Sequence, residues 1–186
     1  DGETIKASDV AFSIKFNLRA AISNGIFTTA FNKIEGASEW KDGTADDLSG
    51  LSVDGNIITI KLSSPYSAFA STLAQFAILP EHVLKDEDPL EFYNSKFWTN
   101  PITSGMFKVG EMNPGNFYTL VFNDQYTGTK PKITKIINHF VNDNLTAVQS
   151  GLMDYFNTNS PGTINEIAKQ SNMMMFPVDI LFYRYF

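Results

Sequence analysis

The sequence predicts a mixed α/β fold, because two hydrophobic periods interleave along the chain. Val10, Ile14, Leu18 and Ile22 recur every four residues, which places them on one face of a helix. Ile58, Ile60 and Leu62 recur every two, which places them on one face of a strand. A second alternating pair of runs, Gly105 to Met112 and Phe117 to Phe122, flanks the turn sequence Asn113-Pro-Gly115. Strands and helices are mixed throughout rather than segregated, as expected for α/β or α+β with a mixed sheet.

The first helix is expected from about Asp9 to Ile22, opened near Ser8 or the Lys6-Ala7 step, with Asp9 at the positive end of the helix dipole. Phe12 and Phe16 widen its buried face, and Asn24-Gly25 ends it. A shorter helix should cover Phe27 to Lys33. Leu51 to Val53 and Ile57 to Leu62 read as a hairpin around Asp54-Gly55-Asn56, stopped at Ser64-Pro65. Phe69, Leu73 and Phe76 have helical spacing, broken at Leu79-Pro80. Lys85 to Glu91 is acidic, and little periodicity follows as far as Asn100-Pro101, where the organisational boundary is placed. Beyond the Gly105–Phe122 pair, Ile133 to Val141 reads as a strand. Asp143 can cap a helix running to Ser150, with Gly151 as its left-handed stop. Tyr155 to Asn157 is strand-like. Thr163-Ile-Asn-Glu166 has the spacing of a capping box for a helix to about Gln170. Met173 to Phe176 and Leu181 to Phe186 read as further strands.

With 186 residues, 43% of them hydrophobic and 16 of them Phe, the chain can bury a substantial core. A net charge of −6 argues against nucleic acid or an anionic membrane surface as partner, since both need a basic patch. The absence of cysteine excludes disulfides, thiolate metal sites and cysteine nucleophiles. No stretch approaches the ~20 apolar residues of a membrane span. Asp1-Gly2 is a hairpin-turn dipeptide with no strand before it, and Ile180 to Phe186 is an aromatic run without a polar tail. Both ends therefore read as cut from a longer protein.

Four stretches, in order and spanning nearly the whole chain, resemble the large solute-binding proteins of peptide ABC importers, extracellular solute-binding family 5. Asp1-Gly2 followed by Ala7-Ser-Asp-Val10 is similar to the family's Asp-Gly and Thr-Ala-x-Asp-Val, with Lys6 at the threonine position. Val53 to Leu62, Ser64-Pro65 and Leu79-Pro-Glu-His-Val-Leu84 resemble its hairpin, proline and Leu-Pro-x-His-Val segment. Asn100 to Val109 is similar to Asn-Pro-Val-Gly-Thr-Gly-Pro-Tyr-Lys-Val, departing at Thr103, Ser104, Met106 and Phe107. Tyr126-Thr-Gly-Thr-Lys-Pro-Lys-Ile133 and Val148-Gln-Ser-Gly151 to Asp154 resemble the fourth stretch. Each motif alone is weak; four in order at near-family spacing are specific.

The resemblance implies a periplasmic-binding-protein-like type II fold, present in part. Residues 1–99 would belong to the extra subdomain of lobe one. Residues 100–186 would form the central part of lobe one, up to the crossover to a second lobe that the chain lacks. It further implies a binder, not an enzyme, that captures short peptides and passes them to ABC permease subunits. The location would be the extracellular or periplasmic face of the cytoplasmic membrane, in many relatives with a lipid anchor. No cofactor is implied. The ligand-binding candidates are Asn157 and Thr158, Tyr183 and Tyr185, and Ser104. Asn157 and Thr158 read equally as a polar turn before Ser160-Pro161; Tyr183 and Tyr185 read rather as half-buried strand aromatics, and Thr103 and Ser104 rather as shaping the turn at Gly105.

His82 and His139 are distant from each other in sequence and lack cysteine partners, a poor metal set. His82 reads as a helix-start residue and His139 as a strand residue. Met173-Met-Met175 reads as adaptable packing. An enzyme is disfavoured by the lack of a Gly-x-Ser-x-Gly elbow or a phosphate-cradling glycine loop. A surface adhesion or sensor module, or a binder of a nickel complex or an oligosaccharide, fits the same fold, because fold does not fix function. Self-association is expected through the terminal strand Leu181 to Phe186 or a bare sheet edge.

Overall fold

The computed structural model describes residues 1–170 and 173–176. The strand expected over Leu181 to Phe186, with Tyr183 and Tyr185, lies outside the described residues. Clustering of contacts divides the chain into two compact units, Asp1–Val109 with Val121–Thr134, and Gly110–Leu120 with Lys135–Phe186.

In the first unit, helix α1 runs Ala7–Arg19, shorter at its end than the hydrophobic period suggests. The Asp9 carboxylate accepts the Lys6 backbone N–H at 2.7 Å, closing the first turn, where free N–H groups must find acceptors. At the other end Ala20 is extended (φ −65°, ψ 136°) and the Ala21 N–H donates to the Pro89 carbonyl at 3.4 Å. The chain turns away there, so Ile22, expected on the buried face, is 71% exposed. Ile14 and Leu18 are buried as the period requires.

Helix α2 (Gly25–Phe31) begins two residues earlier than expected, because the Asn24 side chain accepts the Ile26 N–H at 2.9 Å. Helix α3 (Ala37–Lys41) follows. Strands β1 (Leu51–Asp54) and β2 (Ile57–Ile60) pair antiparallel with Leu51 opposite Ile60 and Asp54 opposite Ile57. That register leaves a two-residue turn, Gly55-Asn56, and Gly55 takes the positive φ such a turn needs. Ile58, Ile60 and Leu62 all pack on the core from one side of this line. Helices α4 (Phe69–Leu73) and α5 (Glu81–Leu84) complete the layer, with α5 starting immediately after Pro80. The aperiodic stretch becomes two 3₁₀ turns, Phe92–Asn94 and Lys96–Thr99.

Two apolar clusters hold this unit. The larger joins Ala11, Ile14 and Leu18 of α1 to Ala30, Phe31, Ile34, Leu48 and Leu51, with Phe27, Phe69, Leu73 and Phe76 against it. Phe31 is fully buried, and its ring meets that of Phe76 edge-on at 4.7 Å. Burying one such side chain contributes ~1.5–3 kcal/mol. Packing therefore decides the fate of α2, since a helix of seven residues is far below the ~12–15 needed for autonomy. The smaller cluster is Phe16, Leu84 and Phe92, with Phe12, Leu79 and Phe97 beside it.

Strands β3 (Phe107–Asn113), β4 (Phe117–Phe122) and β5 (Lys135–His139) form a sheet in the order β3-β4-β5. Gly115 supplies the positive φ of the Asn113–Asn116 turn. In the second unit Thr119 is buried; its hydroxyl accepts the Glu111 N–H at 2.7 Å. Helix α6 (Asn144–Gln149) starts as the sequence predicts: the Asp143 carboxylate accepts the Thr146 N–H at 2.6 Å, and Gly151 terminates it at φ +75°. Helix α7 (Pro161–Ala168) corrects the expected cap. Ser160 caps it and Pro161 occupies the first turn, so Thr163 lies inside the helix and Glu166 pairs with Lys169 at 2.7 Å instead of closing a capping box. Tyr155 to Asn157 and Met173 to Phe176, expected as strands, have no regular structure. A run of apolar residues does not make a strand without a neighbouring backbone to pair with.

Candidate functional site

Four separated segments of the first unit, with Asp9 of α1, line a groove of about 550 Å³: the N-terminal stretch to Ile5, Ile78 to His82, Ile102 to Ser104, and Asn123 to Thr127. The volume falls within the ~300–1,000 Å³ of small-ligand sites.

Its walls are fixed by polar side chains acting on backbone. Asp9, 7% exposed, accepts the Glu81 N–H at 3.0 Å besides that of Lys6. Ser13, fully buried on α1, accepts the Leu79 N–H at 2.7 Å and donates to the Asp9 carbonyl at 2.5 Å. Two side chains of α1, one turn apart, thus hold the Leu79–Glu81 wall. A buried carboxylate is tolerable only when its oxygens are hydrogen-bonded, and here both are. At the rim, His82 Nε2 lies 2.7 Å from Asp1 Oδ2, tying the N-terminal stretch to α5.

The opposite wall depends on Asn123, 6% exposed. Its amide donates to the carbonyls of Gly105 at 3.0 Å and Thr103 at 3.3 Å, and its oxygen accepts the Gln125 N–H at 3.1 Å. Its own N–H donates to the Met106 carbonyl at 2.9 Å. Three of the amide's hydrogen-bonding sites are thereby used on backbone, which shapes the Thr103–Gly105 loop. The Thr103 hydroxyl donates to the Phe107 carbonyl at 3.0 Å, which leaves Ser104 as the exposed hydroxyl of that loop.

The groove carries the carboxylates of Asp1, Glu3 and Asp9, with His82 beside Asp1 and neither lysine nor arginine in its lining. Hydroxyl and amide groups from Ser104, Gln125 and Thr127 offer donors and acceptors together, which suits amide-containing ligands. Among the described residues no three His, Asp or Glu side chains gather as metal ligands.

Of the residues singled out in the sequence, Thr103, Ser104 and His82 lie on the groove. Asn157 and Thr158 belong to the second unit, exposed in the irregular stretch before α7. There Asn157 Oδ1 accepts the Tyr155 hydroxyl at 2.6 Å and Thr158 Oγ1 accepts the Ser160 N–H at 3.1 Å. Tyr183 and Tyr185 lie outside the described residues. His82 stands in the first turn of α5, as its sequence context suggests, and the His139 ring lies 6.0 Å from that of Phe117, tilted by 54°. Sequence reasoning missed Asp9 as a wall-builder and Asn123 altogether. The only signal for Asn123 was its place just before the motif Tyr126 to Ile133.

Comparison with known proteins places this architecture. The model of the bacterial extracellular solute-binding proteins, family 5, middle region, matches residues 1–186. The chain belongs to that family. It is 26% identical over 167 residues to the oligopeptide-binding protein OppA of Lactococcus lactis subsp. lactis, covering 84% of this chain and 28% of that protein. It is 30% identical over 96 residues to a Brucella ovis protein named as an ABC transporter peptide-binding protein, covering 51% of this chain and 18% of that one. Among solved structures, lactococcal OppA complexed with an endogenous peptide in the closed conformation superposes with a TM-score of 0.78 at 23% identity, over 92% of this chain and 34% of that one. The fold is therefore a mixed α/β part of the periplasmic-binding-protein-like architecture. The chain spans less than a third of the length of these two sequence relatives.

Proposed function

We propose that this chain is part of an extracytoplasmic substrate-binding protein that captures short peptides and hands them to the permease of an ABC importer. One observation carries the reading: the family match runs over all 186 residues, and relatives at 26–30% identity are named for peptide binding. Residues 1–99 then serve as part of the extra subdomain of lobe one and residues 100–186 as its central part. Such a protein works as a clamp. Peptide backbone groups bond to polar side chains and strand edges, and lobe closure removes water from the ligand. Asn157 and Thr158, Ser104, Tyr183 and Tyr185 are the proposed peptide contacts, and the role needs no cofactor or catalytic residue.

The test is calorimetry of the protein as encoded, against a library of short peptides. Binding of at least one peptide is expected. Asn157→Ala and Thr158→Ala should each weaken it by about 0.5–1.5 kcal/mol, one hydrogen bond's net worth, with thermal stability nearly unchanged. No affinity for any peptide, together with tight binding of a nickel complex or an oligosaccharide, would replace the peptide in this reading with that solute.

A further inference from the structure

A second concavity of the first unit lies away from the groove just described. It is an apolar notch of about 290 Å³ whose lining includes Ile22, Pro89, Phe92, Tyr93 and Trp98. Three of these side chains are strongly exposed: Ile22 at 71%, Tyr93 at 52% and Trp98 at 46%. Leu90, next to Pro89, is 57% exposed as well. Among the described residues no element covers these side chains. Ile22 carries the helical period of α1 and leaves the core at Ala20, and the indole of Trp98 lies at the surface although apolar clusters are close by.

The notch is rigidly held. The Trp98 indole N–H donates to the Phe92 carbonyl at 2.7 Å. The Trp98 and Phe92 rings are 4.9 Å apart, and Phe92 meets Phe16 edge-on, also at 4.9 Å. The bond from the Ala21 N–H to Pro89 fixes the other side. Aromatic side chains pre-ordered in this way lose little freedom on binding, and they are the residue type that anchors protein interfaces.

Its surroundings are acidic. Asp86, Glu87, Asp88 and Glu91 are all exposed in the segment that supplies Pro89 and Tyr93, against Lys85 and Lys96. A volume at the lower edge of the ~300–1,000 Å³ of small-ligand pockets suits one bulky side chain of a larger partner. The carboxylates oppose nucleic acid and anionic lipid and favour a cationic neighbour. We infer that this notch docks a basic segment of a second protein, one bulky apolar side chain seated between Ile22 and Trp98 with lysine or arginine beside it facing the Asp86–Glu91 carboxylates. This goes beyond solute capture and does not depend on the groove.

The chain has two tryptophans, Trp40 and Trp98, so its ¹⁵N spectrum has two indole signals, assigned with Trp98→Phe. The probe is the hexapeptide Lys-Lys-Leu-Phe-Lys-Lys, with Glu-Glu-Leu-Phe-Glu-Glu as its counterpart. The lysine probe should move the Trp98 signal saturably and leave Trp40 in place, while the glutamate probe does neither. Glu87→Lys combined with Glu91→Lys should weaken the response by about tenfold. In the unaltered chain, raising salt from ~0.05 to ~0.5 M should weaken it too, which tests the charge contribution even if the double variant folds poorly. Equal responses to both probes, or a salt-independent response, would overturn the docking of a basic segment. A Trp98 shift on concentrating the protein alone would give the notch to a second copy instead. A shift caused by phosphatidylserine vesicles and not by the lysine probe would give it to a membrane surface.

Discussion

The carboxylate of Asp9 reaches across 72 positions of sequence to accept the backbone N–H of Glu81 at 3.0 Å. The same group closes the first turn of its own helix through Lys6. One side chain therefore starts α1 and positions the segment that forms one wall of the groove. Asp9→Ala would leave both N–H groups without their partner in a largely buried place, at ~1–3 kcal/mol for each that stays dry. Urea unfolding should show that loss. Asp9→Asn retains an acceptor oxygen and should lose less. Ser13→Ala, which orphans the Leu79 N–H, should cost ~1–3 kcal/mol on the same scale.

Asn123→Asp keeps the size of a side chain that donates two hydrogen bonds but turns the donors into acceptors facing the carbonyls of Thr103 and Gly105. The Thr103–Gly105 loop should loosen. Faster amide exchange at Gly105 and Met106 is expected, with a loss of stability of ~1–3 kcal/mol. Unchanged exchange there would mean that the turn holds itself.

Asp143 lies below the ordinary carboxylate value of 3.8, first because the Thr146 backbone N–H bonds to it and then through the Thr146 hydroxyl. A depressed value means that the folded state favours the ionised form. Its contribution to α6 is therefore fully present above pH 3.8 and is lost as pH falls through the lower, folded value. Carboxyl NMR should place the Asp143 midpoint below those of exposed aspartates. Asp143→Asn should cap without this acid sensitivity, and Asp143→Ala should fray α6 at every pH.

Gly50 sits where three stretches of backbone meet: its N–H donates to Glu35, its carbonyl accepts from Lys61, and the Glu35 N–H donates to Lys61. A Cβ there would stand 2.7 Å from both the nitrogen and the oxygen of Glu35, and 2.8 Å from the Lys61 oxygen. Because backbone cannot swing aside as a side chain can, Gly50→Ala should destabilise by ~1–3 kcal/mol. Gly43→Ala meets nothing within 4 Å, so its cost should come only from the positive φ of that residue.

What was legible in the sequence was local. Asp143 and Gly151 bracket α6 through contacts within a few residues, and Ile58, Ile60 and Leu62 show their shared face by spacing alone. Ile22 misled because periodicity continues past the point where Ala20 becomes extended and the next N–H bonds to the distant Pro89 carbonyl. Thr163 and Glu166 fit a capping pattern, but Ser160 with Pro161 after it offers a better start. The groove was the least legible part. It is assembled from four segments, and side chains such as Asp9 and Asn123 that bond to remote backbone leave no periodic trace. Of its lining, only Ser104 was named beforehand as a ligand contact.

Helix α1 gives Ile14 and Leu18 to one apolar cluster and Phe12 and Phe16 to the other. It is a shared wall, so opening either cluster strips one side of the helix that the other needs. The two clusters should therefore melt in a single cooperative step, and the most slowly exchanging amides of the first unit should lie in the middle of α1, around Ile14 and Lys15, reporting its global opening.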